Sequence, residues 1–172
     1  MTQPASNREN FEKWFGQPLT KLMEDDDCGF AVVMIAFPLL ERYLRATTRS
    51  EPNTAPFNQA LLKVLSELQT EKNANLFWAI YRHGILHNVA LSRETHGLSL
   101  SKPIVEVWPN GNVWMNPKLF ATRVVDTIRN DFSRFEAGVP LAQPQQVNEG
   151  IPGTPAFSSY WGTGMPPGSG KA

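Results

Sequence analysis

The sequence predicts an all-α fold: a helical bundle of four to five helices with one β-hairpin inserted at about residues 103–117 and a Pro/Gly-rich C-terminal tail. Three observations predict it. Apolar residues recur at helical spacing over most of residues 11–95 and again over 119–135. The period changes to strand-like alternation once, at 103–117. No strand–helix–strand alternation occurs, which disfavours a parallel α/β fold.

The elements follow in order. Phe11, Trp14, Phe15, Leu19 and Leu22 have helical spacing, broken by Gly16 and Pro18, so a short helix and a bend are expected. The acidic run "EDDD" (24–27) suits a helix N-terminus. The next helix, from about Asp27 to Ala46, is apolar nearly all round until "ERYLR" and belongs at the centre of the core, with a kink at Pro38. A polar loop over 47–55 ends at Pro56, a first-turn proline that opens "FNQALLKVLSELQ" (57–69). Residues 73–95 read as one long amphipathic helix. In "PIVEVWPNGNVWMNP" (103–117), β-branched and aromatic residues flank an Asn-Gly turn, the mark of a hairpin. Asn116 then caps a helix with Pro117 in its first turn, and Gly138 is its expected stop. From Gly138 onward 13 of 35 residues are Gly or Pro, so residues 1–138 form the expected domain and 139–172 an extended or disordered tail. The aromatic cluster "FSSYW" (157–161) in that tail could anchor a partner.

Composition narrows the function classes. A chain of 172 residues is about one domain and can bury a sizeable core. Sixteen basic residues balance sixteen acidic ones, so no global positive field draws nucleic acid; any such contact must be local or built with a second copy. One cysteine, Cys28, excludes an intramolecular disulfide and a cysteine-rich zinc site. The polar N-terminus has no signal-peptide pattern. The most apolar run, residues 28–40, is 13 residues long and contains Pro38, short of the roughly 20 a bilayer span needs. A cytoplasmic protein without membrane contact is expected.

The informative stretch is "YRHGILHN" (81–88), which puts Arg82, His83, Gly84 and His87 at the centre of that amphipathic helix. Gly84 costs about 1 kcal/mol there relative to alanine; it is either tolerated or permits close approach of another backbone. His83 and His87 are at i and i+4 and share a face. Zinc needs a third protein ligand, His96 lies nine residues on, and the position after His83 is glycine where the zinc-protease pattern has glutamate. No metal or cofactor is assigned. Arg82 and His87 are five apart, about 140° round an α-helix, and would line an edge. A second copy across a two-fold axis would turn that edge into a concave site with two arginines and two histidines. Such a site suits RNA cleavage: imidazole takes the 2′-hydroxyl proton and guanidinium stabilises the charge on phosphorus. On spacing alone the simpler reading is a buried polar network.

Arg82, followed by the polar His83, with "HGIL" separating it from His87, resembles the motif of the HEPN superfamily of helical proteins. The segment "AVVMIAFPLLERYLRA" (31–46) resembles the family's early helix, which ends in an acidic residue and a Leu-Arg step. The resemblance covers roughly residues 28–95. It implies a bundle that dimerises through its motif helices and a metal-independent endoribonuclease activity, often in toxin–antitoxin or phage-defence settings; other members serve as non-catalytic assembly modules. Carried over by position, Arg82 and His87 are the catalytic pair and His83 supports them; Asn88 and Glu41 are further supporting candidates. The implied partners are RNA and a second copy, with the tail available to a protein inhibitor or other partner.

Overall fold

The longest apolar run forms the longest helix. In the computed structural model, which describes residues 7–87 and 96–137 and, at 83 and 85–87, the backbone alone, α3 spans Gly29–Thr48. It runs through Pro38 and buries Val32, Val33, Ala36, Phe37, Leu40 and Leu44. Ahead of it, α1 (Asn7–Phe11), a π-helical turn (Glu12–Gly16) and α2 (Gln17–Leu22) follow one another directly. At Gly16 and Pro18, where a break is expected, the chain stays helical through that wider turn. Pro18 is the second residue of α2, where the ladder passes from five-residue to four-residue bonds. The acidic run lies just before α3 as a turn in which Asp25 Oδ1 accepts from the Asp27 amide at 2.8 Å.

The bundle continues with α4 (Ala55–Val64), a 3-10 turn (Ser66–Leu68) and α5 (Glu71–Trp78), which Thr70 caps by accepting from the Asn73 amide. The Phe37 ring on α3 packs 4.8 Å from Trp78, 5.8 Å from Phe77 and 5.9 Å from Phe120, and Trp78 meets Phe57 edge-on at 4.7 Å. These rings tie four helices together, each pair adding about 0.5–1.5 kcal/mol to its area burial. Asn58, almost fully buried, donates to Asn75 Oδ1 at 2.8 Å and fixes α4 against α5.

Residues 73–95 do not form a single α-helix: α5 ends at Trp78, and Ala79–His87 is a π-helix, with N–H groups bonded five residues back. Residues 88–95 lie outside the described part, as do the tail and Gly138.

The all-α class holds for most of the described chain, but a small sheet stands beside the bundle. The hairpin is present as β2 (Val105–Val107) and β3 (Val113–Met115), antiparallel, closed through Asn110 and a left-handed Gly111 (φ 85°). A third strand, β1 (His96–Leu98), runs parallel to β3 and makes it the central strand of order β1-β3-β2. Gly97 faces Trp114 in that register, and a Cβ at Gly97 would overlap the indole ring. Asn116 caps α6 (Pro117–Asn130) by accepting from the Lys118 and Leu119 amides at 3.1 Å, and its amide nitrogen donates to Leu100 and Lys102 carbonyls. One buried side chain thus joins sheet, loop and helix. The helix α6 packs along α3, where Gly29 admits Pro117: a Cβ there would lie 2.9 Å from the proline ring. In α7 (Phe132–Glu136), Phe135 closes over Phe11 at 5.3 Å. No described helix is long and apolar enough to cross a membrane.

The α1 end is fastened to α6 by Glu12, whose carboxylate accepts from Arg129 Nε at 2.8 Å and Nη2 at 2.7 Å. Those bonds hold the Glu12 carboxyl below its ordinary value. A lowered native pKa stabilises the fold above the unfolded value of about 4.3, and the contribution is lost as pH falls through the native value. Both side chains are partly exposed, so Glu12→Gln should cost only about 0.5–1 kcal/mol at pH 7 by urea unfolding. The gap between variant and wild type should close in acid; a gap that persists there would show that the ion pair is not its source.

Candidate functional site

The π-helix is held from both sides at two consecutive residues. Tyr81 points inward and is fully buried. Its ring packs 5.0 Å from Phe77, and its hydroxyl donates towards the Gly97 carbonyl at 2.9 Å and the Val113 carbonyl at 3.1 Å. The phenol therefore bridges β1 and β3 where they pair. Burial pushes its pKa well above the ordinary phenol value, so it stays a neutral donor.

Arg82 points the other way, to α3. Its Nε donates to Glu41 Oε2 at 3.1 Å. Glu41 Oε1 accepts from Arg45 Nε one helical turn on at 3.0 Å, and Arg45 Nη1 reaches Glu51 at 2.7 Å. Glu41 thus takes one guanidinium on each oxygen, with its side chain 15% exposed and that of Arg82 26%. It also lines a shallow hollow of about 250 Å³ with Pro38, Arg42 and Arg45. Arg42 is held by its guanidinium lying 5.1 Å over the Phe135 ring.

The structure therefore brings together Arg82 and Glu41, which are 41 residues apart in the chain. His83 and His87 lie on the π-helix by their backbone positions; Asn88 lies outside the described residues, as do the side chains of both histidines. The π register changes the relation between Arg82 and His87. On an α-helix, positions i and i+5 are about 140° apart. In a π ladder they are the hydrogen-bonded pair, so the two backbone positions lie on successive turns of the same side of the helix. The edge expected from α spacing becomes a single stripe. His83 and His87, neighbours on one face of an α-helix, remain neighbours around the axis in the wider turn.

Sequence reasoning missed two contributors. Tyr81 reads as one more apolar residue of "LFWAIY", and nothing local shows that its hydroxyl has carbonyls to meet. Arg45 was visible only as the i+4 partner of Glu41, a spacing at which opposite charges meet on a helix.

Tyr81→Phe keeps the ring and removes the bridge. Two carbonyls then lose a buried donor, which should cost about 1–3 kcal/mol in thermal or urea unfolding. Amide exchange should quicken first over the π-helix. A loss under about 0.5 kcal/mol would mean that the hydroxyl does not anchor this segment.

Comparison with family models, with curated proteins and with solved structures found no match to this chain, so its functional reading rests on the geometry of the Arg82–Glu41 site.

Proposed function

We propose that the chain is a metal-independent endoribonuclease of the HEPN type, with a HEPN-like bundle, acting as a homodimer whose two π-helices face a shared cleft. The observation that supports this best is the stacking of positions 82 and 87 on one stripe, with Arg82 held by Glu41 and still partly open to solvent. In the proposed reaction the His87 imidazole of one copy takes the proton from a ribose 2′-hydroxyl. The 2′-oxygen attacks phosphorus, the bond to the 5′-oxygen breaks, and the imidazolium of the other copy protonates that oxygen. The products are a 2′,3′-cyclic phosphate and a 5′-hydroxyl. Arg82 neutralises the extra charge on the pentacoordinate phosphorus, a task for which a planar, permanently charged guanidinium is suited. Histidine fits because its ordinary pKa of about 6.5 lies near working pH.

Glu41 has a defined part in this reading. It lies behind Arg82 and fixes the guanidinium before substrate arrives, so less freedom is lost on binding. Arg45 shares the carboxylate and keeps the local charge from turning negative. His83 and Asn88 are the remaining supporting residues, and a toxin or phage-defence setting is the context that the family resemblance implies.

A second reading has its own observation. Trp14 is 61% exposed on the rim of a hollow of about 360 Å³ lined by Phe11, Phe15, Leu39 and Phe135. An exposed indole beside apolar walls is the kind of feature that anchors a protein partner, and it favours a non-catalytic interaction or assembly module.

The two readings separate in one assay. Purified protein should cut single-stranded RNA in EDTA, leave cyclic or 3′-phosphate ends and spare DNA. His87→Ala and Arg82→Ala should each slow cleavage by about 10²–10⁴-fold. If His87→Ala cuts as fast as wild type, the nuclease reading is lost. A chain that stays monomeric in sedimentation and cuts no RNA favours the interaction module.

A further inference from the structure

The other side of α3 carries a second feature. Tyr43 is two residues past Glu41, about 200° round the helix, and it borders a cleft of about 480 Å³ between the C-terminal half of α3, α4 and α6. That volume lies within the range of small-molecule sites, roughly 300–1,000 Å³. Its lining takes Gln59 and Lys63 from α4, Arg123 from α6 and Arg134 from α7.

The chemistry of the lining is one-sided. Three cations border the cleft and no carboxylate does. Glu67 and Asp131 pair with Arg123 and Arg134, at 3.4 and 3.1 Å, without lining the cleft themselves. Arg123 is further fixed by donating to the Val64 carbonyl at 3.0 Å, so its guanidinium is set in place by the fold. Lys63 is exposed and makes no ion pair among the described residues. The hydroxyls of Thr48 and Thr127 donate to Leu44 and Arg123 carbonyls of their own helices. The charged side chains that line the cleft are thus all cations, two of them guanidinium groups, beside the neutral polar side chains of Tyr43, Thr47 and Gln59. Such a set recognises a ligand rich in acceptor oxygens.

We propose that this cleft binds a small phosphate monoester, of the size of a nucleoside monophosphate, with its phosphate between Lys63, Arg123 and Arg134. A dianionic group matches three cations, two of them already part-compensated, and 480 Å³ leaves room for a sugar and base beyond it. The site is separate from the Arg82–Glu41 pair and does not depend on the nuclease reading.

The test uses the full chain, isotope-labelled, titrated separately with AMP, ribose 5-phosphate, inorganic phosphate and adenosine. AMP should bind with a Kd below about 1 mM and shift amides around Lys63, Arg123 and Thr127. Adenosine, which lacks the phosphate, should not bind there. Lys63→Glu, a surface substitution, should weaken AMP at least tenfold while its amide spectrum stays folded. The ribose 5-phosphate and inorganic phosphate arms show how much of the ligand beyond the phosphate is read. If AMP shifts no cleft amide up to about 10 mM, or binds equally well to Lys63→Glu, or if adenosine binds as tightly as AMP, the proposal is overturned.

Discussion

Two adjacent side chains, Tyr81 and Arg82, fix the π-helix in two directions at once. The phenol reaches through the core to carbonyls of β1 and β3, and the guanidinium reaches across to a carboxylate on α3. Neither contact is local, since the partners lie 16, 32 and 41 residues away. A helix that must satisfy both is constrained in rotation as well as position. The widened ladder begins at Ala79, between the aromatic anchors Phe77 and Trp78 and this doubly held step. A π segment is less favourable than an α-helix of the same length and commonly marks a functional site; here the tertiary contacts are what hold it. Gly84 sits within the segment, where a missing Cβ eases departure from α geometry.

The charges around Arg82 are arranged rather than scattered. Arg82, Glu41, Arg45 and Glu51 form an alternating chain, with Glu41 at its least exposed point. Alternation cancels net charge over the group, consistent with a neutral chain, yet each guanidinium keeps a fixed position. A neutral protein can therefore present a directed cation without a broad positive field. Such a site would rely on positioned donors more than on long-range attraction, so its affinity for an anion would depend on geometry.

Much of the fold was legible because it rests on short-range physics. The 28–40 run had to be a central helix, since nothing else buries so many apolar residues in succession. The Asn-Gly turn and the Asn116–Pro117 helix start were readable from turn and cap chemistry and appear at those positions. What escaped depends on distant partners. The strand His96–Leu98 has three residues, no alternation and a glycine at its centre, and exists because β3 offers an open edge and Trp114 a ring for Gly97 to lie under. The π register escaped because apolar spacing in a short segment cannot tell a ladder of four from a ladder of five. Within the site, Arg82 and Glu41 were each visible by type, and the hydrogen bond between them was not.

The relation between positions 82 and 87 can be measured directly. Scalar couplings transmitted across backbone hydrogen bonds identify which carbonyl each amide uses. The account predicts that the His87 amide nitrogen couples to the Arg82 carbonyl carbon, five residues back. Coupling to the His83 carbonyl instead would return the segment to α register, set the arginine and the second histidine on different sides of the helix, and contradict the shared stripe on which the functional reading stands.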